Sequence, residues 1–191
     1  MTSRLRRLLA DNRKPDWVWF ESVLSYDNAR LPEALIAAGR RLGDADAIAD
    51  GIATLEWLDG VQTSEEGNFR AVGTESFGLP YSTPSRYDQQ PLEAWATIDA
   101  ALTAHLATRN HRWIDMGWRA YRWYLGANDV GVPIASVSDG DCYDGLMADR
   151  ANLNRGAESV LSFQLATSAM QRLANRAGQS ISSESSEALA S

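Results

Sequence analysis

Helical periodicity in this chain comes in pairs of segments separated by proline and glycine. The apolar positions of the first segment fall at helical spacing: Leu31, Ala34, Leu35, Ala38 and Leu42. Pro32 suits the first turn of that helix, where its missing N–H costs nothing. Gly43 ends the segment, and Asp44 is placed to cap a second helix over residues 44–60. The pattern predicts one antiparallel helical hairpin with a very short connection.

The same pattern recurs further along the chain. Pro91 opens a second pair, Asn110 is placed to cap its second helix, and Gly126 closes it. A third unit begins at Gly156 and is expected to end at Gly178. First helices therefore begin near residues 31, 91 and 156, so a unit of about 60 residues recurs. The sequence predicts an all-α fold, an array of antiparallel helical hairpins.

The remaining segments complete the predicted organisation. Residues 1–14 form a basic N-terminal segment, 15–177 the helical-hairpin domain, and 178–191 a polar, serine-rich tail that we expect to be disordered. Trp17–Ser25 is predicted to form one short helix. Only Gly131–Val137 has the pattern of an extended strand.

Charge and composition argue against some classes of binding partner. The 191 residues carry a net charge of −7, which argues against binding a phosphate backbone. No stretch approaches the roughly 20 apolar residues of a membrane span, and the first residues lack a secretory apolar run. A single cysteine, Cys142, excludes an internal disulfide. The sequence predicts a cytoplasmic protein with neither nucleic acid nor membrane as partner.

Two long connections are the natural place for a binding site. Residues 61–90 and 127–155 are rich in Gly, Ser, Asp and Asn, and they also carry aromatic and acidic residues. Loops of this length are uncommon unless they are functional or disordered. Both follow second helices of hairpins, so we expect them to emerge at the same end of the array and form a rim with a cleft.

Three polar segments hold the candidate site residues. Their aromatic, amide and acidic side chains are Trp17, Trp19, Glu21, Tyr26, Asp27 and Asn28; Asp139, Asp141 and Asp144; and Asn152, Asn154 and Glu158. Aromatic platforms, amides and carboxylates around one cleft are typical of carbohydrate recognition. Glycoside chemistry usually requires two carboxyl groups, one as acid and one as base or nucleophile.

Each of these residues also has a structural interpretation. Trp17 and Trp19 are equally suited to stack on a sugar or to pack in the core. Asp27 and Asn28 are suited to cap the helix that follows, and Glu158 to favour the positive end of its own helix. The acidic cluster before Arg150 lacks the last glutamate of a calcium loop, and two histidines are too few for a transition-metal site, so no metal is predicted.

A resemblance to a known family rests on three runs of the sequence. WFESVLSYDNARLPEALIAAG, YLGANDVGVPI and the pair DCYDGL…NLNRGAES resemble the helical toroid of six-hairpin glycosidase-like proteins. The sequence is most similar to the module on the C-terminal side of bacterial family-4-type glycosyltransferases. The similarity extends from Trp17 to Ala174. It implies paired helices in an (α/α) toroid, with a sugar-binding funnel lined by the ends of the inner helices.

The resemblance also implies a set of site residues and an incomplete ring. It places these residues at the funnel: Glu21, Tyr26, Asp27, Asn28, Gln90, Asp144, Asn154 and Glu158. A full toroid has twelve helices, and this chain has about half of them. The sequence therefore predicts a partial (α/α) toroid, which a glycosyltransferase partner or self-association would complete.

Three functional hypotheses follow. The first is a carbohydrate-active domain of glycosyltransferase or glycosidase type, with Glu21, Asp144 and Glu158 as candidate acid and base groups and no cofactor. In it, Trp17, Trp19, Tyr26, Asp27, Asn28, Gln90 and Asn154 bind an oligosaccharide or a glycosylated substrate. The second is a non-catalytic sugar-binding or scaffold module. The third is a helical-repeat domain that binds other proteins.

Overall fold

The computed structural model describes the backbone of residues 2–188 and the side chains of residues 2–176. Its helices are α1 (Thr2–Asn12), α2 (Arg30–Leu42), α3 (Ala45–Val61), α4 (Pro91–Thr108), α5 (Arg112–Tyr124) and α6 (Ala157–Ala188). One 3₁₀ turn covers Thr74–Ser76. The strands are β1 (Ala135–Ser136), β2 (Asp141–Cys142), β3 (Gly145–Leu146) and β4 (Ala151–Asn152), in two antiparallel pairs, β1–β2 and β3–β4. The prediction of an all-α class is confirmed.

Several predicted helix boundaries are confirmed as well. Asp44 caps α3, because its carboxylate accepts a hydrogen bond from the Ala47 N–H at 3.0 Å. Gly43 ends α2 with a φ of 68°, a left-handed conformation that glycine adopts without steric cost. Pro91 is the first residue of α4, where no intrahelical hydrogen bond is lost. These local signals are strong because capping depends on neighbours in sequence.

Helices α2 and α3 pack closely through glycine. A Cβ on Gly39 would lie 2.9 Å from the Ile48 side chain, and a Cβ on Gly51 would lie 2.6 Å from that of Ile36. Since the later residue of α2 faces the earlier residue of α3, the two helices are antiparallel. The predicted short connection between them is present.

Helices α2 and α4 run in the same direction. Arg30 in the first turn of α2 donates a hydrogen bond to Asp99 at 2.8 Å. Glu33, further along α2, accepts one from Thr103, further along α4, at 3.4 Å. Both partners advance together along the chain, so the helices are parallel.

Helix α6 lies parallel to α4 on its other side. Near the start of both helices, Tyr124 donates to the Pro91 carbonyl at 2.6 Å, and its ring lies 5.2 Å from that of Phe163. Further along, Arg172 donates to Asp99 at 3.4 Å. The N-terminal ends of α2, α4 and α6 therefore lie at one end of the molecule. We call this end, formed by residues 26–30, 90–93 and 154–158, the rim.

Two apolar clusters hold the helices together. One joins α1, the segment before α2, α2 and α3 to one side of α4 and the start of α5, and the other joins α4, α5 and α6 to the segment that holds the strands. Among the tryptophans of α5, Trp113 and Trp123 are fully buried, whereas Trp118 is partly exposed. Burying a large aromatic side chain contributes on the order of 2 kcal/mol.

The predicted helix over Trp17–Ser25 is wrong. This segment is irregular, although its buried apolar side chains include Phe20 and Leu24 at helical spacing; Trp19 is buried beside them. Asn12 holds the segment in place, because its side-chain amide donates to the Phe20 carbonyl at 2.9 Å. Packing of aromatic side chains prevails over helical periodicity here.

The two ends of the chain also differ in detail from the sequence pattern. The basic N-terminal segment forms α1, which packs on α2 and α3 through Leu9 and joins Arg6 to Asp50 at 2.7 Å. Helix α6 continues past Gly178, where we expected it to end. The backbone of α6 is described as far as Ala188, and the side chains from residue 177 onward lie outside the described residues. The predicted disorder of 178–191 stays a prediction. Within the described residues, no helix is long and apolar enough to cross a membrane.

Candidate functional site

At the rim, a hydrogen bond connects two segments that are far apart in the sequence. The Tyr26 phenol, on the loop before α2, donates to a Glu158 carboxylate oxygen in the first turn of α6 at 2.6 Å. Both side chains are exposed. Burial, the hydrogen bond and the negative charge of Glu158 raise the pKa of Tyr26 to about 12. The phenol therefore remains a hydrogen-bond donor at neutral pH.

Glu93 lies beneath this pair and is fully buried, with 1 % of its surface exposed. One carboxylate oxygen accepts from the Asp27 N–H at 2.5 Å. The other accepts from the Asn28 side-chain amide at 3.2 Å and from the Gln62 side-chain amide at 3.5 Å. Burial raises the pKa of Glu93 to about 7, although these hydrogen bonds lower it. Burial is the larger effect.

Asp27 has a left-handed backbone conformation. Its φ is 56°, in a region that few residues other than glycine adopt and in which Asp and Asn are enriched. Burial also raises the pKa of its half-buried carboxyl, and the Arg30 guanidinium, 3.4 Å away, lowers it. The neighbouring Asn28 is buried, and its side chain closes the loop by exchanging hydrogen bonds with the Ser25 backbone.

Arg30 links the rim to the shared face of α2 and α4. Its guanidinium forms ion pairs at 2.8 Å with both Glu33 and Asp99. It also lies 4.2 Å from the centre of the Trp95 ring, within the range of a cation–π contact. The arginine is thus held by two carboxylates and an aromatic face.

A cavity of about 270 Å³ opens beside the start of α6. Tyr143, Arg155, Asp139 and Asp141 line it together with the buried Cys142. The Arg155 guanidinium lies 5.0 Å from the centre of the Tyr143 ring and forms an ion pair with Asp141. The volume is slightly below the usual range of small-molecule pockets, and the lining includes both polar and apolar residues.

The structure brings together only part of the predicted site. Tyr26, Asp27, Asn28 and Glu158 form one cluster. Gln90 lies at the rim as well, at the residue before α4. Since Tyr26 and Glu158 are 132 residues apart in the chain, this contact depends on the tertiary fold.

The two predicted tryptophan platforms lie in the core. Trp17 is 7 % and Trp19 is 1 % exposed, and both rings pack against Trp57, at 5.0 and 5.8 Å between ring centres. Trp17 also donates its indole N–H to the Glu21 carbonyl at 2.7 Å. Neither ring offers a free face to a sugar, so the packing interpretation is the one that the structure favours.

The other predicted residues have mainly local roles. Asp144 accepts a hydrogen bond from the Gly156 N–H at 2.5 Å and thereby fixes the turn that leads into α6. The Asn154 carbonyl accepts from the Asp144 N–H at 2.9 Å, while its exposed side chain points outward. Glu21 is exposed on the irregular segment before the rim. Of the three candidate acid and base groups, only Glu158 is joined to another side chain at the rim, whereas Asp144 bonds the backbone there.

Sequence reasoning missed Glu93 and Arg30. A signal for Glu93 was present: it shares one face of the α4 helix with Ala96, Thr97 and Ala100 at helical spacing, and that face is buried. A carboxylate among small buried side chains is costly unless donors surround it. Its partners lie on another part of the chain, so the pattern within α4 did not identify them.

Among the described side chains, no group of three or more His, Cys, Asp and Glu residues is placed to hold a metal ion. No model of a known protein family matches the chain, and no curated protein is significantly similar to it.

Proposed function

We propose that this chain is a carbohydrate-active helical domain that binds a sugar chain at the rim, between Tyr26 and the first turn of α6. The proposal includes the finer architecture, an incomplete (α/α) toroid of the six-hairpin glycosidase-like type. It also includes a cytoplasmic location and a glycosyltransferase partner or a second copy that completes the ring.

The observation that carries the proposal is the hydrogen bond between Tyr26 and Glu158. Sugar hydroxyls are both hydrogen-bond donors and acceptors. Tyr26 and Glu158 together supply an exposed aromatic ring, a carboxylate held in place and a phenol that stays protonated. The cavity lined by Tyr143 and Arg155 lies beside the same helix, because Arg155 stands two residues before α6, which carries Glu158. A phenol that fixes the orientation of a carboxylate also suits that carboxylate to act as a base on a bound hydroxyl.

The parallel arrangement of α2, α4 and α6 supports the toroid part of the proposal. Inner helices of an (α/α) toroid run parallel, and each is joined to an antiparallel outer helix. Here α3 is antiparallel to α2, and Trp113 near the start of α5 donates to Thr108 at the end of α4 at 2.9 Å. The rim then corresponds to the funnel that the resemblance implies.

The test is calorimetric titration with neutral gluco-, manno- and galacto-oligosaccharides. We expect Glu158→Gln and Tyr26→Phe each to weaken binding by roughly tenfold to a hundredfold, the usual effect of losing a hydrogen bond to a charged group. Asp149→Asn is the control, because this exposed carboxylate pairs only with its neighbour Arg150. Binding that is equal in all variants, or absent for every sugar at millimolar concentration, contradicts the proposal.

Product analysis after long incubation separates an enzyme from a binding module. Turnover that Glu158→Gln abolishes supports a catalytic domain, and binding without product supports the sugar-binding module. A protein-interaction domain is a second candidate, favoured by two leucines exposed on α6, Leu161 and Leu165, at 58 % and 42 %. Loss of self-association or of a co-purifying protein in the double Leu→Ser variant supports that candidate.

A further inference from the structure

One buried carboxylate joins the loop that carries Tyr26 and Asp27 to α4. Glu93 accepts from the Asp27 N–H at 2.5 Å, from the Asn28 N–H at 3.4 Å and from the Asn28 side chain at 3.2 Å. The partners lie 65 and 66 residues earlier in the chain, so these are tertiary contacts. The loop therefore depends on α4 for its position.

An ordinary helix-capping role does not explain this residue. A glutamate that only complements the positive end of a helix does not require burial, and the gain is too small to offset full desolvation of its carboxylate. Glu93 is instead fully buried, and the atoms within hydrogen-bond distance of it all belong to donors. An acceptor surrounded by donors from another segment is the arrangement expected of a residue that holds that segment.

The held segment is one that needs an external constraint. Asp27 has a left-handed backbone, a conformation that residues other than glycine adopt as single residues held by their surroundings, and it precedes the buried Asn28. The hydrogen bond to Glu93 is donated by the N–H of this same residue. Tyr26 is the preceding residue, so its phenol reaches Glu158 only while this backbone conformation is kept.

We infer that Glu93 is the positioning residue of the rim: its carboxylate holds the backbone of Asp27 and Asn28 and thereby sets the place of the Tyr26 phenol against Glu158. The part of this inference that concerns sugar affinity rests on the proposed function. The part that concerns the loop does not.

The charged and titratable groups near Glu93 belong to the loop before α2 and to the helices α2, α4 and α6. The loop contributes Tyr26 and Asp27, the start of α2 contributes Arg30, and the start of α6 contributes Glu158. Helix α4 itself adds the carboxylate Asp99, which Arg30 already neutralises in part. The end of α3 contributes the neutral side chain of Gln62 at 3.5 Å.

Two of these groups bear directly on a pH titration of the loop. The Asp27 carboxylate raises the pKa of Glu93, and Arg30 is engaged with Asp99 and Glu33. Burial raises the pKa of the Asp27 carboxyl as well, so a variant at position 93 is needed to distinguish a titration step of Glu93 at the Asp27 N–H from one of Asp27 itself.

The experiment uses the full chain labelled with 3-fluorotyrosine, with Tyr26→Phe to assign the Tyr26 resonance. In Glu93→Ala, we expect the ¹⁹F shift of Tyr26 to move to its position in Glu158→Gln, because the phenol has lost the same partner. Thr97→Ala is the matched control: Thr97 is equally buried on the next turn of α4 and bonds Gln62 at 3.3 Å rather than the loop. Its Tyr26 resonance stays at the wild-type position.

A second variant keeps the inference testable if Glu93→Ala does not fold. Glu93→Gln keeps one oxygen for the Asp27 N–H but cannot ionise. In ¹⁵N-labelled wild-type protein, the Asp27 amide shift should titrate with a midpoint near the pKa of about 7 of Glu93, and in Glu93→Gln that step should vanish. An Asp27 amide without a titration step between pH 5.5 and 8.5, or a Tyr26 resonance unmoved in folded Glu93→Ala, overturns the inference.

Sugar affinity gives the last readout. If oligosaccharides bind, Glu93→Ala should weaken binding at least tenfold and Thr97→Ala less than twofold. Equal weakening by both variants means a purely structural role and overturns the inference. If no sugar binds even to the wild type, the proposed function fails, while the two spectroscopic readouts still decide whether Glu93 positions the loop.

Discussion

Replacing Glu93 by glutamine should remove a pH dependence from the stability of the protein. In the unfolded chain a glutamate has a pKa of 4.5, and burial raises the pKa of Glu93 to about 7 in the fold. The folded state therefore binds a proton more tightly than the unfolded state. The stability that this proton contributes is fully present below pH 4.5 and is lost as the pH rises through about 7.

The size of the effect follows from the same two values. Each pH unit between them is worth about 1.4 kcal/mol, so the free energy of unfolding should fall by about 3 kcal/mol across the whole window. Asp27 and Glu33 have raised pKa values as well, and Asp129 has a lowered one. Glu33 and Asp129 act in wild type and variant alike, so the difference between the two proteins reports Glu93 together with its coupling to Asp27.

Urea unfolding at intervals from pH 5 to pH 8 measures the difference. We expect the stability of the wild type relative to Glu93→Gln to decrease by roughly 2–4 kcal/mol over this range, with the steepest change below pH 7. Glu56→Gln, at an exposed glutamate that pairs with Arg112, serves as the control and should follow the wild type. A constant difference between wild type and Glu93→Gln at all pH values would refute the reasoning.

Three other predictions concern packing, a buried ion pair and the thiol. Gly51→Ala should destabilise by about 1–3 kcal/mol in urea unfolding, since its Cβ would lie 2.6 Å from an isoleucine side chain of α2, whereas Gly60→Ala, with free space around it, should stabilise by up to about 1 kcal/mol. Equal effects would contradict the close contact. Asp129→Ala should cost on the order of 3 kcal/mol, because Arg70 loses the partly buried carboxylate 2.6 Å away; a cost below 1 kcal/mol would mean that the pair is hydrated. Cys142, whose pKa burial raises to about 12, should remain unmodified by iodoacetamide at pH 8 until the protein is unfolded, as measured by mass spectrometry.

Much of the helical framework could be predicted because its signals are local. The cap at Asp44, the left-handed Gly43 and the first-turn Pro91 each act on residues within one helical turn. The irregular segment at Trp17–Ser25 could not be predicted in the same way. Its conformation is set by contacts with α3, such as that between Trp17 and Trp57, and these depend on the assembled fold.

The candidate site also has residues that the sequence predicts and contacts that depend on the tertiary fold. Tyr26 and Glu158 were identified from residue type and from the resemblance, and the structure adds that they touch. Asp144, chosen for its carboxylate, is engaged with the Gly156 N–H, a contact across 12 residues that the residue type does not reveal. Glu93 required knowledge of which distant segment covers α4, so the pattern of α4 alone presented it as an ordinary first-turn glutamate.

The rim combines two opposing influences on its acidic groups. Three parallel helices direct their positive ends toward it, and each such end favours an ionised carboxylate by about 0.3–1 kcal/mol. Glu93, in the first turn of α4, receives this contribution and several hydrogen bonds, yet its pKa is raised, so desolvation outweighs both. Because the loop covers Glu93 and keeps water away, ionisation of this carboxylate costs free energy. The same loop places the Tyr26 phenol against Glu158. The loop therefore both desolvates Glu93 and forms the exposed pair of the site.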